Sequence, residues 1–514
     1  MRVLLIGNIA NNAFWSARLL REAGLEADVL CYDDYWVMSS PEWEEADFDE
    51  VPADQFYPDW WALDLKGYQR PRWFSQGPSS LAIEYLIAYR AGSPGEADAR
   101  WTALEEARRS VTRHPEHRYE PRTAPERRRD WAKRRLRSLA EHRRLRRPRR
   151  LLAKLTRPLV AELERRSSRG EPPLEVRARL LADEFAVRFP ERSDRLTADD
   201  LRPFAARAAQ MAELFRHYDV VQGNAVDPLY PMLTGFRPYV AFEHGTLRDS
   251  PEVNWPFKGP FYANPLGRIT ALSYAQADWV FITNADCRSS AERLKLRRYT
   301  PLPHPFDERA FVAKPEESQA IRDRLGVDHL FLCPIRHDWD EKGTDRYIRA
   351  LPALRSQVSG RFKACFMPWG KEIARSKALI RELGVEDLVE WVGPFARVAF
   401  ARWIGAADVI WDQLVYASFS GLGPRAMAAG TPVVAAYVHE GLAWMFPEPA
   451  PILAASSVDD VTRQTLRALS PGFRANYRQE AQRWIAKYHS GSLVASKLME
   501  AYRQVISERA TKVR

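Results

Sequence analysis

HLFLCPIRHDWDEKGTDRYIRAL, running from His329 to Leu351, decides how the rest of the chain is read. LFLCPI is a short apolar run of the kind buried on both faces in a parallel sheet. A polar loop with Arg336 and Lys342 follows, and a helix opens at Gly343 or Thr344 and continues through YIRAL. Two cations in one strand-to-helix loop, beside the partly positive start of a helix, favour an anion for several reasons at once. A phosphate or diphosphate is the natural guest. In open parallel sheets ligands gather outside the carboxyl ends of strands, where this loop lies.

Working outward, the same alternation recurs on both sides. After the loop, strands are expected at KACFMPW, VEWVG, DVIWD and TPVVAA, with helices between them. Before it, Arg2 to Ile6 is another short apolar strand, followed by the loop GNIANNAF, a helix through SARLLREAG and a strand near Ala27 to Cys31, which makes a βαβ opening. That first loop has one glycine, Gly7, so the GxGxxG fingerprint is absent and no nicotinamide or flavin cofactor is expected. Asn8, Asn11 and Asn12 instead offer neutral donors and acceptors, as ligand contacts or as ordinary turn chemistry. YVAFEHG is a further strand whose loop presents Glu243, His244, Thr246 and Arg248, and the proline-bearing LPHPFDERAF is the candidate linker between halves. The reading is α/β: residues 1–312 as a first Rossmann-like domain, 313–486 as a second, and 487–514 as an amphipathic helix returning to the first.

With 514 residues, two or three domains are expected. Pro41 to Arg72, acidic and rich in tryptophan, lacks periodicity and reads as an ordered loop packed by its aromatics. Residues 80–200 read as an inserted, arginine-rich helical segment, with Leu151, Leu152, Leu155, Leu159 and Leu163 on one face. Thr197, three residues before Asp200, marks a helix start. The net charge of +10 concentrates in this segment, in runs such as HRRLRRPRR, either as a solvated helix face or as a surface for anionic partners. Cys31, Cys287, Cys333 and Cys365 lie far apart and read as reduced, partly buried residues, not a disulfide framework or a zinc site. No apolar run reaches the ~20 residues needed to span a bilayer, and the opening MRVLLIGN is unlike a signal peptide. A cytoplasmic protein is expected, with any membrane association peripheral.

The combination IRHDWDEKGTD, VEWVGPF and ADVIWDQLVYASFSGLGPRAMAAGTPVVAAY resembles the GT-B glycosyltransferases, nearest to the retaining family 4, or group 1, nucleotide-sugar transferases. The resemblance covers most of residues 1–80 and 200–510 and leaves out the arginine-rich insertion. It implies two Rossmann-like domains facing a cleft and a nucleoside-diphosphate sugar as donor, with no cofactor. Arg336 and Lys342 match the pair that holds the donor diphosphate, and the backbone of Ser420, Gly421 and Leu422 can approach the phosphates. GNIANN, with Gly7, Asn8, Asn11 and Asn12, replaces the family's glycine-rich first loop. Gly393 and the Ala417–Arg425 segment fall at the donor nucleotide or sugar, and His244 is the implied catalytic residue facing that sugar.

The chain departs from the family at two places. The family carries two glutamates eight positions apart where this chain has Ala417 and Arg425. Arginine donates only, so it cannot accept from ribose hydroxyls. Arg425 could take the phosphates or a carboxylated sugar, Asp412 or Glu440 could take over the ribose, or transfer activity could be lost. The leading expectation is metal-independent, retaining transfer from a nucleoside-diphosphate sugar to an unidentified acceptor, lipid-linked or polyanionic, with residues 100–170 meeting an anionic membrane surface. The rivals are an inactive GT-B protein that binds a sugar nucleotide or a partner, and a nucleic-acid-binding protein acting through the insertion.

Overall fold

The computed structural model of the chain describes residues 1–48, 52–113, 174–248, 259–312, 314–415 and 420–513. The leucine stripe at 151–163 and the arginine runs between 120 and 150 lie outside these, as does Ala417.

Two all-parallel sheets carry the fold. The first contains β1 (Arg2–Ile6), β2 (Glu26–Tyr32), β3 (Phe74–Gly77), β4 (Val220–Asn224), β5 (Tyr239–Phe242), β6 (Trp279–Ile282) and β7 (Tyr299–Pro301), in the order β3-β2-β1-β4-β5-β6-β7. The second contains β8 (His329–Cys333), β9 (Phe362–Phe366), β10 (Val389–Trp391), β11 (Val409–Trp411), β12 (Val433–Ala435) and β13 (Leu453–Ala454), in the order β10-β9-β8-β11-β12-β13. Each sheet therefore reverses its winding once, between β1 and β4 and between β8 and β11. Those reversals open a crevice at the carboxyl ends of the strands, which is where α/β sheets bind ligands. Continuous apolar strands such as VLLI and LFLC fit this layout, because helices cover both faces and every side chain is buried. Two Rossmann-like units result.

The final helix, Gly491–Val513, leaves the second unit and returns to the first. Val494, Leu498, Ala501, Tyr502 and Val505 pack with Val3, Leu5, Phe14 and Phe242, and the Tyr502 hydroxyl donates to Gln222 Oε1 at 2.7 Å.

Three stretches differ from the sequence reading. The helix Ser79–Ala91 is a core layer of the first unit, not part of an insertion: Ile83, Tyr85 and Leu86 pack with Leu4, Ile6 and Leu30. Leu104 of the helix Pro94–Arg113 and Leu181 and Phe185 of the helix Leu174–Arg188 join the same core. Arg108, expected on a basic surface, is buried and donates to Glu42 at 3.1 Å and Glu105 at 2.6 Å. The four cysteines are fully buried single thiols, not partly exposed.

The tryptophan-rich stretch is also more regular than a loop. It forms a helix at Pro41–Glu45 and a turn of 3-10 helix at Trp60–Ala62. Its aromatics build a small separate core of Val37, Ala46, Phe48 and Trp60 that takes in Ala396 of the second unit. Thr197 and Asp200 form a reciprocal capping box at the helix Ala198–Leu201.

Candidate active site

The loop after β8 is shaped by its own side chains. Asp338 Oδ1 accepts from the Glu341 N–H at 3.0 Å, and its backbone carbonyl accepts from the Lys342 and Gly343 N–H groups at 2.8 and 3.1 Å. Gly343 then adopts φ +69° immediately before the helix Thr344–Gln357, with Leu414 so close that a Cβ there would lie 3.1 Å from it. His337, between the two cations, is a core residue. Its Nδ1 lies 2.8 Å from Ser376 Oγ, and burial pushes its pKa down to about 4.

Lys342 reaches across to the end of β11, where its ammonium donates to Gln413 Oε1 at 2.6 Å. Burial lowers its pKa, and the nearby Asp412 carboxylate opposes that shift. Asp412 is itself committed: it accepts from the Ser420 hydroxyl and from the Gln413 N–H at 2.8 Å, and burial raises its pKa. Asp412 is buried, with one bond accepted on each carboxylate oxygen, whereas Glu440 is exposed. Ser420 passes the polarity on. Its Oγ accepts from the Leu422 and Gly423 N–H groups at 3.1 and 3.3 Å, capping the start of the helix Leu422–Ala429 beside Gly421. Arg336 is half-exposed and engaged with Glu341, with Asp338 at 3.7 Å.

Arg425 sits on that helix, against Phe306 and Phe311 of the linker at 5.3 and 5.8 Å. It donates to the Gly421 carbonyl, and its Nε is buried without a partner. Burial and then repulsion from Arg397 bring its pKa down to about 9, with Glu44 opposing.

From the first unit, the loop after β1 divides the expected asparagines. Gly7, at φ +78°, lies so close to Asp227 that a Cβ would stand 2.2 Å from Oδ2. Asn8 and Asn11 are fully buried, and their side chains serve the loop itself, one of the two roles left open for them. Asn8 bonds Asn11 Oδ1, the Ser39 carbonyl and the Phe14 N–H, while Asn11 bonds the Ser40 carbonyl and Glu44. Asn12 alone turns to the crevice, where its amide meets His244 Nδ1 at 3.0 Å and His304 Nδ1 at 3.1 Å. Burial lowers both imidazoles, His244 to about 4, with Arg248 adding to the effect. The field of Arg248 reaches Lys342 and that of Arg425 reaches His304, and Arg425 also lies 5.3 Å from the ring of Phe306, two residues after His304.

Gly393 turns the chain at φ +76° after the edge strand β10 and lines a separate cavity of about 490 Å³ with Trp391, Phe395 and Trp403.

Four residues escape a reading of the sequence alone. Gln413 and His304 had no motif, although His304 sits in the linker already singled out. Glu44 and Arg397 tie the units together through bonds of 3.0 and 3.1 Å. Glu44 also accepts from Trp15 Nε1 at 2.9 Å, and Arg397 holds its pKa down to about 2.

Residues 328–470, which contain β8 to β13 and every second-unit group described above, match the family model described as glycosyl transferases group 1. This stretch is similar to the group 1 glycosyl transferases. D-inositol 3-phosphate glycosyltransferase of Streptomyces griseus is 31% identical over 157 residues, 28% of this chain and 33% of the relative. The protein of the same description from Xylanimonas cellulosilytica is 32% identical over 188 residues, 31% of this chain and 41% of the relative. The match thus spans about a third to two fifths of those relatives. Among solved structures, HepE of Anabaena in complex with UDP and glucose has a TM-score of 0.48 at 18% identity, over 59% of this chain and 83% of that one. Sucrose-phosphate synthase of Thermosynechococcus elongatus has a TM-score of 0.45 at 17% identity, over 60% and 80%.

Proposed function

We propose that the chain is a glycosyltransferase that moves a sugar from a nucleoside-diphosphate sugar to a hydroxyl acceptor, with retention and with protein groups alone neutralising the leaving diphosphate. The observation that carries this reading is the placement of Lys342 and the Ser420-capped helix start at the β8/β11 reversal, in one crevice with the Asn12, His244 and His304 cluster.

In this reading the diphosphate lies against Lys342 and the N–H group of Gly421, with the Leu422 N–H released from Ser420 Oγ and Arg336 released from Glu341 to join it. The bond between the anomeric carbon and the diphosphate oxygen breaks, its electron pair stays on that oxygen, and the acceptor hydroxyl adds to the same face as its proton passes to the leaving phosphate. Negative charge grows on the diphosphate as that bond breaks, so a fixed ammonium helps the transition state more than the ground state. His244 lines the sugar side as a neutral imidazole.

The test is binding of UDP, GDP, ADP and CMP sugars to the pure chain by thermal shift and calorimetry, with donor hydrolysis as the activity. A ligand at a hundred times its dissociation constant should stabilise by ~2.7 kcal/mol. If neither the wild type nor Lys342→Ala binds or hydrolyses any of them, the reading fails. Binding without hydrolysis or transfer would instead identify a sugar-nucleotide-binding protein that has lost catalysis.

A further inference from the structure

The bonds around Asn12 determine which nitrogen of each imidazole carries the proton. The Ile9 carbonyl oxygen can only accept, so the Asn12 atom 2.8 Å from it is the amide nitrogen. The second hydrogen of that nitrogen points to His244 Nδ1 at 3.0 Å, which must present a lone pair. The proton of His244 is therefore on Nε2. The remaining Asn12 atom, Oδ1, is an acceptor 3.1 Å from His304 Nδ1, so that nitrogen carries the proton and His304 Nε2 has the lone pair. Asn12 cannot rotate to reverse this, because its oxygen would then face the Ile9 carbonyl. Each ring bonds Asn12 through Nδ1, so both Nε2 atoms point away from it. The ring centroids are 5.2 Å apart, edge to face. The charged and titratable groups around His304 are His244, His489, Arg425 and Arg248, none of which favours a second proton on it.

We propose that His304 is a further substrate-binding residue, whose Nε2 accepts a hydrogen bond from a sugar hydroxyl beside the one that receives the His244 Nε2–H, and that Asn12 is the positioning residue that sets both tautomers. This rests on the donor reading above and sharpens it. One donor and one acceptor side by side suit a ring carrying neighbouring hydroxyls, each of which can give and take. A carboxylate or phosphate, which only accepts, would meet the His304 lone pair. The His304 position is thus selective for an uncharged, hydroxylated part of the ligand, while the charge is handled by Lys342 on the other side of the crevice.

Two measurements on the full chain test this. First, nitrogen NMR with 15N-histidine, assigned by His244→Gln and His304→Gln, reads tautomers without any ligand. An Nε2–H imidazole for His244 and an Nδ1–H imidazole for His304, both neutral from pH 5.5 to 8, are expected. Asn12→Asp should abolish the Nε2–H form of His244. The reverse tautomer at His304 overturns the proposal. Second, calorimetry with UDP-glucose and UDP, or with whichever nucleotide the screen above selects, should show that His304→Phe weakens the sugar nucleotide about tenfold while leaving the nucleoside diphosphate unchanged. His304→Gln, whose amide oxygen can accept, should restore most of that loss. Equal loss for both ligands, or none for the sugar nucleotide, overturns it. If the wild type binds no nucleotide at all, the donor reading fails, and the substrate-binding role assigned to His304 fails with it, whatever its tautomer.

Discussion

Glu44→Gln removes one charge from the contact between the two units and keeps the side-chain shape. The wild-type carboxylate is buried and accepts from Arg397 at 3.0 and 3.1 Å, from Trp15 at 2.9 Å and from Asn11 at 3.2 Å. Its pKa is held at about 2 against an ordinary 4.5, which corresponds to ~3 kcal/mol in favour of the folded, ionised form at neutral pH. The substitution also leaves the Arg397 guanidinium without its acid, and breaking a buried pair in this way costs about 3–5 kcal/mol. A loss of ~3 kcal/mol at pH 7 is therefore expected, read from urea unfolding followed by tryptophan fluorescence.

The sign of the pH dependence is fixed by the downward shift. The contribution is complete above the unfolded pKa of 4.5, declines as pH falls below it and is gone below about 2. The deficit of Glu44→Gln relative to wild type should shrink over that window, and Glu44→Gln combined with Arg397→Met should recover part of it at pH 7. A deficit below ~1 kcal/mol at pH 7, or one that does not change between pH 5 and 3, would refute the reasoning.

Lys342→Met should reduce donor hydrolysis by roughly two to three orders of magnitude while leaving the fold intact by circular dichroism, since it removes a fixed cation from the developing charge. Glu341→Gln should tighten nucleoside diphosphate binding in calorimetry by freeing Arg336; the pair is half-exposed, so stability should change by less than ~1 kcal/mol. Gly7→Ala should destabilise the first unit by at least ~2 kcal/mol in denaturant, because the position needs φ +78° and its Cβ would meet Asp227. Because burial keeps the His244 pKa near 4, the rate of donor hydrolysis should show no inflection from this residue between pH 5.5 and 7.5, whereas Asn12→Asp should introduce one in the same assay.

Most strands were legible because parallel sheets buried on both faces write themselves as short apolar runs, though β3, β7 and β13 carry no such run and were not expected; the loop after β8 was legible because strand, cations and helix start are consecutive. Lys342 and Ser420 fall in such local signals. Other residues were left open or misread where the deciding contact is remote. Asn8 and Asn11 read as ligand contacts or turn residues until the Ser39–Ser40 backbone, 29 to 31 residues away, takes their amide hydrogens. Arg108 looks like surface charge until Glu42 is brought beneath it, 66 residues away. The Ser79–Ala91 helix was merged with the arginine-rich stretch because composition changes gradually across a boundary that packing makes sharp. Glu44 and Arg397, 353 positions apart, have no local signature at all.

The charges in the crevice are separated in a way that no single motif reveals. The second unit supplies an ammonium and an arginine next to a capped helix start, all favouring negative charge. The first unit supplies two imidazoles that burial and the surrounding guanidinium groups keep neutral. In the proposed reaction a site of this polarity would stabilise charge that appears on a leaving diphosphate while leaving neutral groups against the sugar. Arg425 fits the same division. In place of the glutamate that the resemblance implies, the chain keeps a guanidinium against two phenylalanine rings, and Glu44 of the opposite unit, whose field reaches Arg425, is bound to Arg397.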